Sequence, residues 1–186
     1  MPMFGLDTPG SNSRLRRSSG KLAACVGLCM LSFLLGATTA AQLPAPEGPV
    51  LLALGGKIAL TNSDGVALFD RARLERLPQV TVRTETPWTK GIVEFEGPLL
   101  RDLLHLVGAR GTVLEAKALD AYTVEIPASD ANEHEVILAI RKNGKAMPVR
   151  ERGPLWIIYP WSDDSGLSKE IYFRRSIWQL ESLTVR

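Results

Sequence analysis

Histidine is the side chain that most readily moves protons or binds a metal near neutral pH, and the chain has two, His105 and His134. His105 lies on the less apolar side of a leucine-rich helical stretch and is expected at the surface. His134 stands in Glu133-His134-Glu135, which reads as a solvated turn. A transition-metal site needs His, Cys and carboxylates in one cluster, and the sequence shows no such cluster. No serine or cysteine is placed against a histidine as a nucleophile, and no glycine-rich loop could cradle a phosphate. The pairs Glu94/Glu96 and Asp163/Asp164 read as solvated charges at strand edges and in loops.

The aromatic residues are the more promising chemistry. Trp88 and Trp161 occupy loop-like positions, whereas Trp156 and Trp178 fall within strand-like runs. Four tryptophans in so small a domain are expected chiefly as core. Trp88 and Trp161 are the two that a ligand cleft would use.

These residues must be positioned by a β-rich framework. Val50 to Leu60 is apolar and β-prone, with Gly55-Gly56 as a turn or bulge, and Asn62-Ser63-Asp64-Gly65 is a turn by composition. Asp70 is placed to cap a short helix carrying Leu74 and Leu77, which Pro78 stops. Val80 and Val82, then Val93 and Phe95, alternate with polar residues as strands do. A second helix is expected from Pro98 to Gly108, with Leu99, Leu100, Leu103, Leu104 and Val107 at helical spacing. Strands are expected over Tyr122 to Ile126 and Val136 to Ile140, followed by a tight hairpin at Asn143-Gly144. Leu155 to Tyr159 reads as a central strand. Ile171 to Val185 reads as one or two more, with Trp178, Leu180 and Leu183 in the core. The fold class is therefore α+β, a β-rich single domain with short helices.

The first forty residues have a different character. Arg14, Arg16, Arg17 and Lys21 precede an apolar run from Leu22 to Ala37, and Thr38-Thr39-Ala40-Ala41 follows. This is the layout of a cleaved secretory signal, and the run is short for a membrane span. The expected organisation is a signal over residues 1–40, a flexible segment over 41–49 and a domain over 50–186. The mature protein is then periplasmic or otherwise secreted, with no stable insertion in the membrane. Residues 1–40 carry four of the 22 basic residues and one of the 20 acidic ones, leaving 18 against 19. A net charge of −1 with no basic stripe argues against nucleic acid as a partner. Both cysteines, Cys25 and Cys29, belong to the leader, so the mature domain has neither a disulfide nor a thiol.

The order of short motifs in the remaining chain resembles a known family. Pro87-Trp88, Gly97-Pro98-Leu99, Leu103-Leu104 and Asp120-Ala121-Tyr122 come first. Ile126-Pro127, Asp130-Ala131, Leu138-Ala139, Asn143-Gly144, Met147-Pro148, Gly153-Pro154-Leu155, Tyr159-Pro160 and Trp178 follow. Together, over Val50 to Arg186, this string is similar to the oxidoreductase molybdopterin-binding domain of the sulfite-oxidase type. The resemblance implies that fold, and a pterin dithiolene whose molybdenum takes a further sulfur from a protein cysteine. That cysteine would stand near Thr84, Glu85 or Thr86, and none is there. Where many relatives follow Gly-Pro-Leu with arginine this chain has Trp156, and where many precede the last tryptophan with lysine it has Ile177. Arg174 and Arg175 are near but displaced.

The resemblance thus implies an exported binding, accessory or sensing module on a molybdopterin-domain scaffold, with no cofactor of its own. The alternative is a molybdopterin-dependent oxidoreductase with a metal ligand other than cysteine. Expected partners are a small molecule, or an exported or membrane sensor protein. Arg83, Glu85, Trp88 and Tyr122 are the candidate groove residues.

Overall fold

The computed structural model describes residues 42–186. The expected signal over residues 1–40, with Cys25 and Cys29, lies outside the described residues. From the N-terminal side come β1 (Val50–Gly56), β2 (Ala67–Asp70), α1 (Arg71–Arg76), β3 (Gln79–Thr84) and β4 (Val93–Pro98). Then follow α2 (Leu100–Leu106), β5 (Val113–Ala118), β6 (Thr123–Pro127), α3 (Asp130–Glu133) and β7 (Ile137–Ala139). The last are β8 (Arg141–Lys142), β9 (Lys145–Ala146), β10 (Trp156–Ile158), α4 (Glu170–Arg175) and β11 (Leu180–Val185).

A five-stranded sheet has the order β2-β1-β11-β5-β6. Its only parallel pair joins β1 to β11, with Leu54 opposite Leu183, and the other pairs are antiparallel. A four-stranded sheet runs β3-β4-β8-β9, and β10 pairs with β7. The Ile140 N–H donates to the Glu96 carbonyl (2.8 Å), and Leu99 bridges to Ile137, so β4 also runs beside β7. That close approach explains Gly97, and a second one between loop residues explains Gly153. A Cβ on Gly97 would overlap the Leu138 carbonyl oxygen, and one on Gly153 would overlap that of Met147.

The elements follow local chemistry where it is strong. Asp70 caps α1, accepting the Arg73 N–H (2.9 Å), and Leu74 is buried beneath it. Asn143 and Gly144 close the β8–β9 hairpin at φ 50° and 72°. α2 has seven residues and no capping side chain, so it cannot stand alone. Leu100, Leu103 and Leu104 are buried, and roughly 2 kcal/mol of burial for each holds it in place.

Two expectations, on α2 and on α4, are corrected. The helix begins at Leu100, two residues after Pro98, because Leu99 is still extended and engaged with Ile137. Residues 170–175 form a helix where a strand was expected. The strand around Ile157 is completely buried; it pairs with β7 and also bridges through Trp156 to Trp178, with the Ile157 N–H donating to the Ile177 carbonyl (3.0 Å). Within the segment expected to be flexible, Leu43 is buried, and Asp70 accepts the N–H groups of Glu47 (2.7 Å) and Gly48 (2.8 Å). The Arg73 N–H, with those of Gly48 and Glu47, outweighs burial and holds the Asp70 carboxyl below its ordinary value.

Candidate ligand-binding site

All four tryptophans meet in one cluster. Trp88 lies edge-on to Trp178 (ring centroids 5.2 Å), Trp161 (6.2 Å) and Phe173 (6.2 Å), and tilted against Trp156 (5.8 Å). Phe95 closes the inner side against Trp156 at 5.4 Å. These perpendicular contacts place the positive edge of one ring on the negative face of the next. The Arg152 guanidinium covers the Trp156 and Trp178 rings at 5.5 and 5.3 Å.

The cluster opens into a cavity of about 360 Å³. The loop after β3 contributes Trp88, and the turn between β5 and β6 contributes Asp120 and Tyr122. Phe173 and Arg174 come from α4, with Ser176, Ile177 and Trp178 just beyond it. The polar groups are few. Asp120 accepts the Tyr122 N–H (3.0 Å), Ser176 donates its hydroxyl to the Tyr172 carbonyl (2.8 Å), and the exposed Arg174 approaches Glu170 at 3.8 Å.

Behind α4 is a buried polar clamp. Asp130 accepts from the Tyr159 hydroxyl (2.7 Å) and from the Arg175 guanidinium (2.9 Å) through the same oxygen. Arg175 also stacks over Tyr172 at 5.4 Å. Burial, reinforced by the hydrogen bond to Asp130 and its negative charge, pushes the Tyr159 hydroxyl far above the ordinary phenol value. His134, expected in a solvated turn, is half-buried with its ring against Tyr172 (5.5 Å) and Tyr159 (6.3 Å). His105 is exposed.

The segment Thr84 to Thr86 can be tested directly for a metal ligand. Thr84 is completely buried and its hydroxyl is engaged three ways. It accepts the Ser162 N–H (3.0 Å) and contacts the Ser162 hydroxyl and the Glu85 carbonyl, each at 3.2 Å. The Thr86 hydroxyl accepts the Trp88 N–H (3.1 Å) and pairs with Thr89 (2.8 Å). Both hydroxyls hold the loop, and neither is a soft ligand. Among the described residues no group of three His, Cys, Asp or Glu is arranged to hold a metal. Of the neighbouring arginines, Arg175 is taken by Asp130 and Arg152 by two indoles, leaving Arg174, among the described residues, as the pocket's one cation for an anionic group. The residues present do not fit a molybdenum–pterin group.

Of the four candidate groove residues, Trp88 and Tyr122 line the cavity. Arg83 and Glu85 do not: both are exposed, Arg83 opposite Glu94 in the β3–β4 ladder and Glu85 beside Ser162. The tryptophan assignments also change. Trp161 is buried, 5% exposed, and off the cavity wall, whereas Trp178 is half-buried and forms part of it. Glu96 is not a solvated charge either, since Arg141 binds it (2.7 Å) together with Glu75 (2.6 Å). Phe173 and Arg174 enter the wall because residues 170–175 are helical. Nothing in their spacing signals that. Asp120 belongs to the Asp120-Ala121-Tyr122 motif, which is its one signal in the sequence.

Residues 70–164 match the profile of the family described as the oxidoreductase molybdopterin binding domain. The fold is similar to the crystal structure of the sulfane dehydrogenase SoxCD from Paracoccus pantotrophus, with a TM-score of 0.53 and 19% identity. That likeness covers 72% of this chain and 37% of the other, so this chain spans well under half of its length. No curated protein matches the chain.

Proposed function

The chain belongs to the oxidoreductase molybdopterin-binding domain family, and on that premise we propose that it is an exported, non-catalytic binding module. In this reading it carries no molybdenum centre, holds a small organic molecule in its aromatic pocket and reports to an exported or membrane sensor protein. One observation carries it. At Thr84 to Thr86, where a metal-binding thiol would be expected, the two threonine hydroxyls are spent on backbone and side-chain hydrogen bonds within the fold. The pocket supports the same reading. A cavity of about 360 Å³ with aromatic walls and few polar groups has the size and chemistry of a small-molecule site. Export rests on the basic residues, apolar run and small residues of the leader. Among the described residues, no helix is long and apolar enough to cross a membrane.

The test is elemental. The protein is purified from a molybdenum-replete host, and metal and released pterin are measured against protein. Neither is expected above trace. Stoichiometric molybdenum would overturn the proposal in favour of an oxidoreductase that binds its metal without cysteine. With metal absent, a small molecule that raises the melting temperature by mass action identifies ligand chemistry.

A further inference from the structure

The walls of the pocket restrict what it can hold. Four aromatic residues line it, Trp88, Tyr122, Phe173 and Trp178. Ring faces are negative, so they repel an anion and attract a cation. Asp120 adds a full negative charge at the same wall. Its Oδ1 is engaged by the Tyr122 N–H, and no ion pair reaches the carboxylate among the described residues. A purely apolar guest would leave this charge to be desolvated without compensation. A primary ammonium would find too few acceptors here for its three N–H groups. A fully methylated ammonium has no N–H to satisfy and carries its charge on an apolar surface.

Arg174 supplies the second half of the argument. It lines the same cavity as Asp120 but on the α4 side, its nearest carboxylate is Glu170 at 3.8 Å, and its side chain is 66% exposed. A guanidinium held so loosely can turn to a carboxylate and bind it through two parallel N–H groups. The cavity, about 360 Å³, lies at the small end of the range for ligand sites, which suits a guest of amino-acid size. Resting on the binding-module reading above, we infer that the pocket takes a small betaine-type zwitterion. Its quaternary ammonium sits among Trp88, Tyr122 and Trp178 beside Asp120, and its carboxylate faces Arg174.

The experiment compares glycine betaine with 3,3-dimethylbutanoate, the same shape with carbon in place of the charged nitrogen. Binding is followed by calorimetry and by emission of the clustered tryptophans. Glycine betaine is expected to bind roughly tenfold more tightly than the carbon isostere. Tyr122→Ala and Asp120→Asn, both at exposed turn positions, are each expected to weaken it severalfold, while Arg174→Ala lowers the preference for betaine over choline. Equal binding of betaine and isostere overturns the inference but leaves a small-molecule pocket standing. Betaine binding unchanged in Tyr122→Ala and Asp120→Asn puts the ligand elsewhere and overturns it as well. If betaine fails to bind, the inference falls, and the metal and pterin measurement separately decides whether the binding-module reading falls with it.

Discussion

One wall of the aromatic pocket is the turn between β5 and β6, carrying Ala118, Asp120 and Tyr122 above a ladder of five paired residues; the opposite wall is α4 with the segment after it, carrying Phe173, Arg174, Ser176 and Ile177. The first wall inherits its position from the five-stranded sheet. The second has no ladder, and α4 buries none of its own residues. What locates it is the pairing of Arg175 with Asp130, the packing of Phe173 on Trp88 and Trp161, and the bonds from Trp156 and Ile157 to the Ser176 and Ile177 carbonyls. A sheet-supported wall tolerates point changes because many bonds share the load. A wall whose helix has a single buried ion pair tolerates fewer. The side of the pocket that adapts to a ligand is therefore the α4 side.

Breaking the pair gives the largest expected effect. Asp130→Ala leaves the Arg175 guanidinium, 15% exposed, without its counter-charge. A loss of about 3 kcal/mol is expected in urea denaturation, together with altered tryptophan emission as Phe173 shifts. No loss would mean that packing, not the ion pair, sets α4.

Tyr159→Phe tests the same clamp more gently. It removes one buried hydrogen bond, with an expected cost of about 1 kcal/mol at pH 8. The hydroxyl's pKa is raised in the folded state, so the native protein keeps a proton that the unfolded chain releases above about pH 10. This contribution is complete below that pH and declines above it. The gap between wild type and Tyr159→Phe should therefore narrow between pH 8 and pH 11. A constant gap would count against the raised pKa.

The sheet-supported wall offers the smallest effect, with the opposite sign. Ala121 sits at φ 68°, in the left-handed region that alanine adopts at a cost. Ala121→Gly relieves that cost but gives the unfolded chain more freedom. The net expectation is a stabilisation of about 0.5 kcal/mol, read as a melting temperature higher by roughly 2 °C. A drop would show that the turn is already optimal.

The same contrast governs what was legible in the sequence. Local codes were readable: Asp70 as a cap, Asn143-Gly144 as a hairpin turn, the alternation in β3 and β4. β5 was missed because its inward residues are Leu114, Ala116 and Ala118, and two alanines make a weak stripe beside Glu115 and Lys117. β2 was missed because four residues between a turn and a helix cap leave no room for a pattern. At 171–173, Ile-Tyr-Phe has the composition of a strand, but the residues fold as a helix that Arg175 ties to a carboxylate 45 positions earlier. The site depended most on such distant partners. Trp88 and Tyr122 could be named as isolated residues. Phe173 and Trp178 became wall residues only through the packing of segments far apart in sequence, and Thr84 reaches Ser162 across 78 positions.

The position of β11 has a kinetic consequence. It lies between β1 and β5, so without Leu180–Val185 the large sheet is two separate hairpins, β2 with β1 and β5 with β6. A contact that must close over most of the chain is slow to form. β11 leaves the ribosome after β1, β2, β5 and β6, so the large sheet stays open while those four strands emerge.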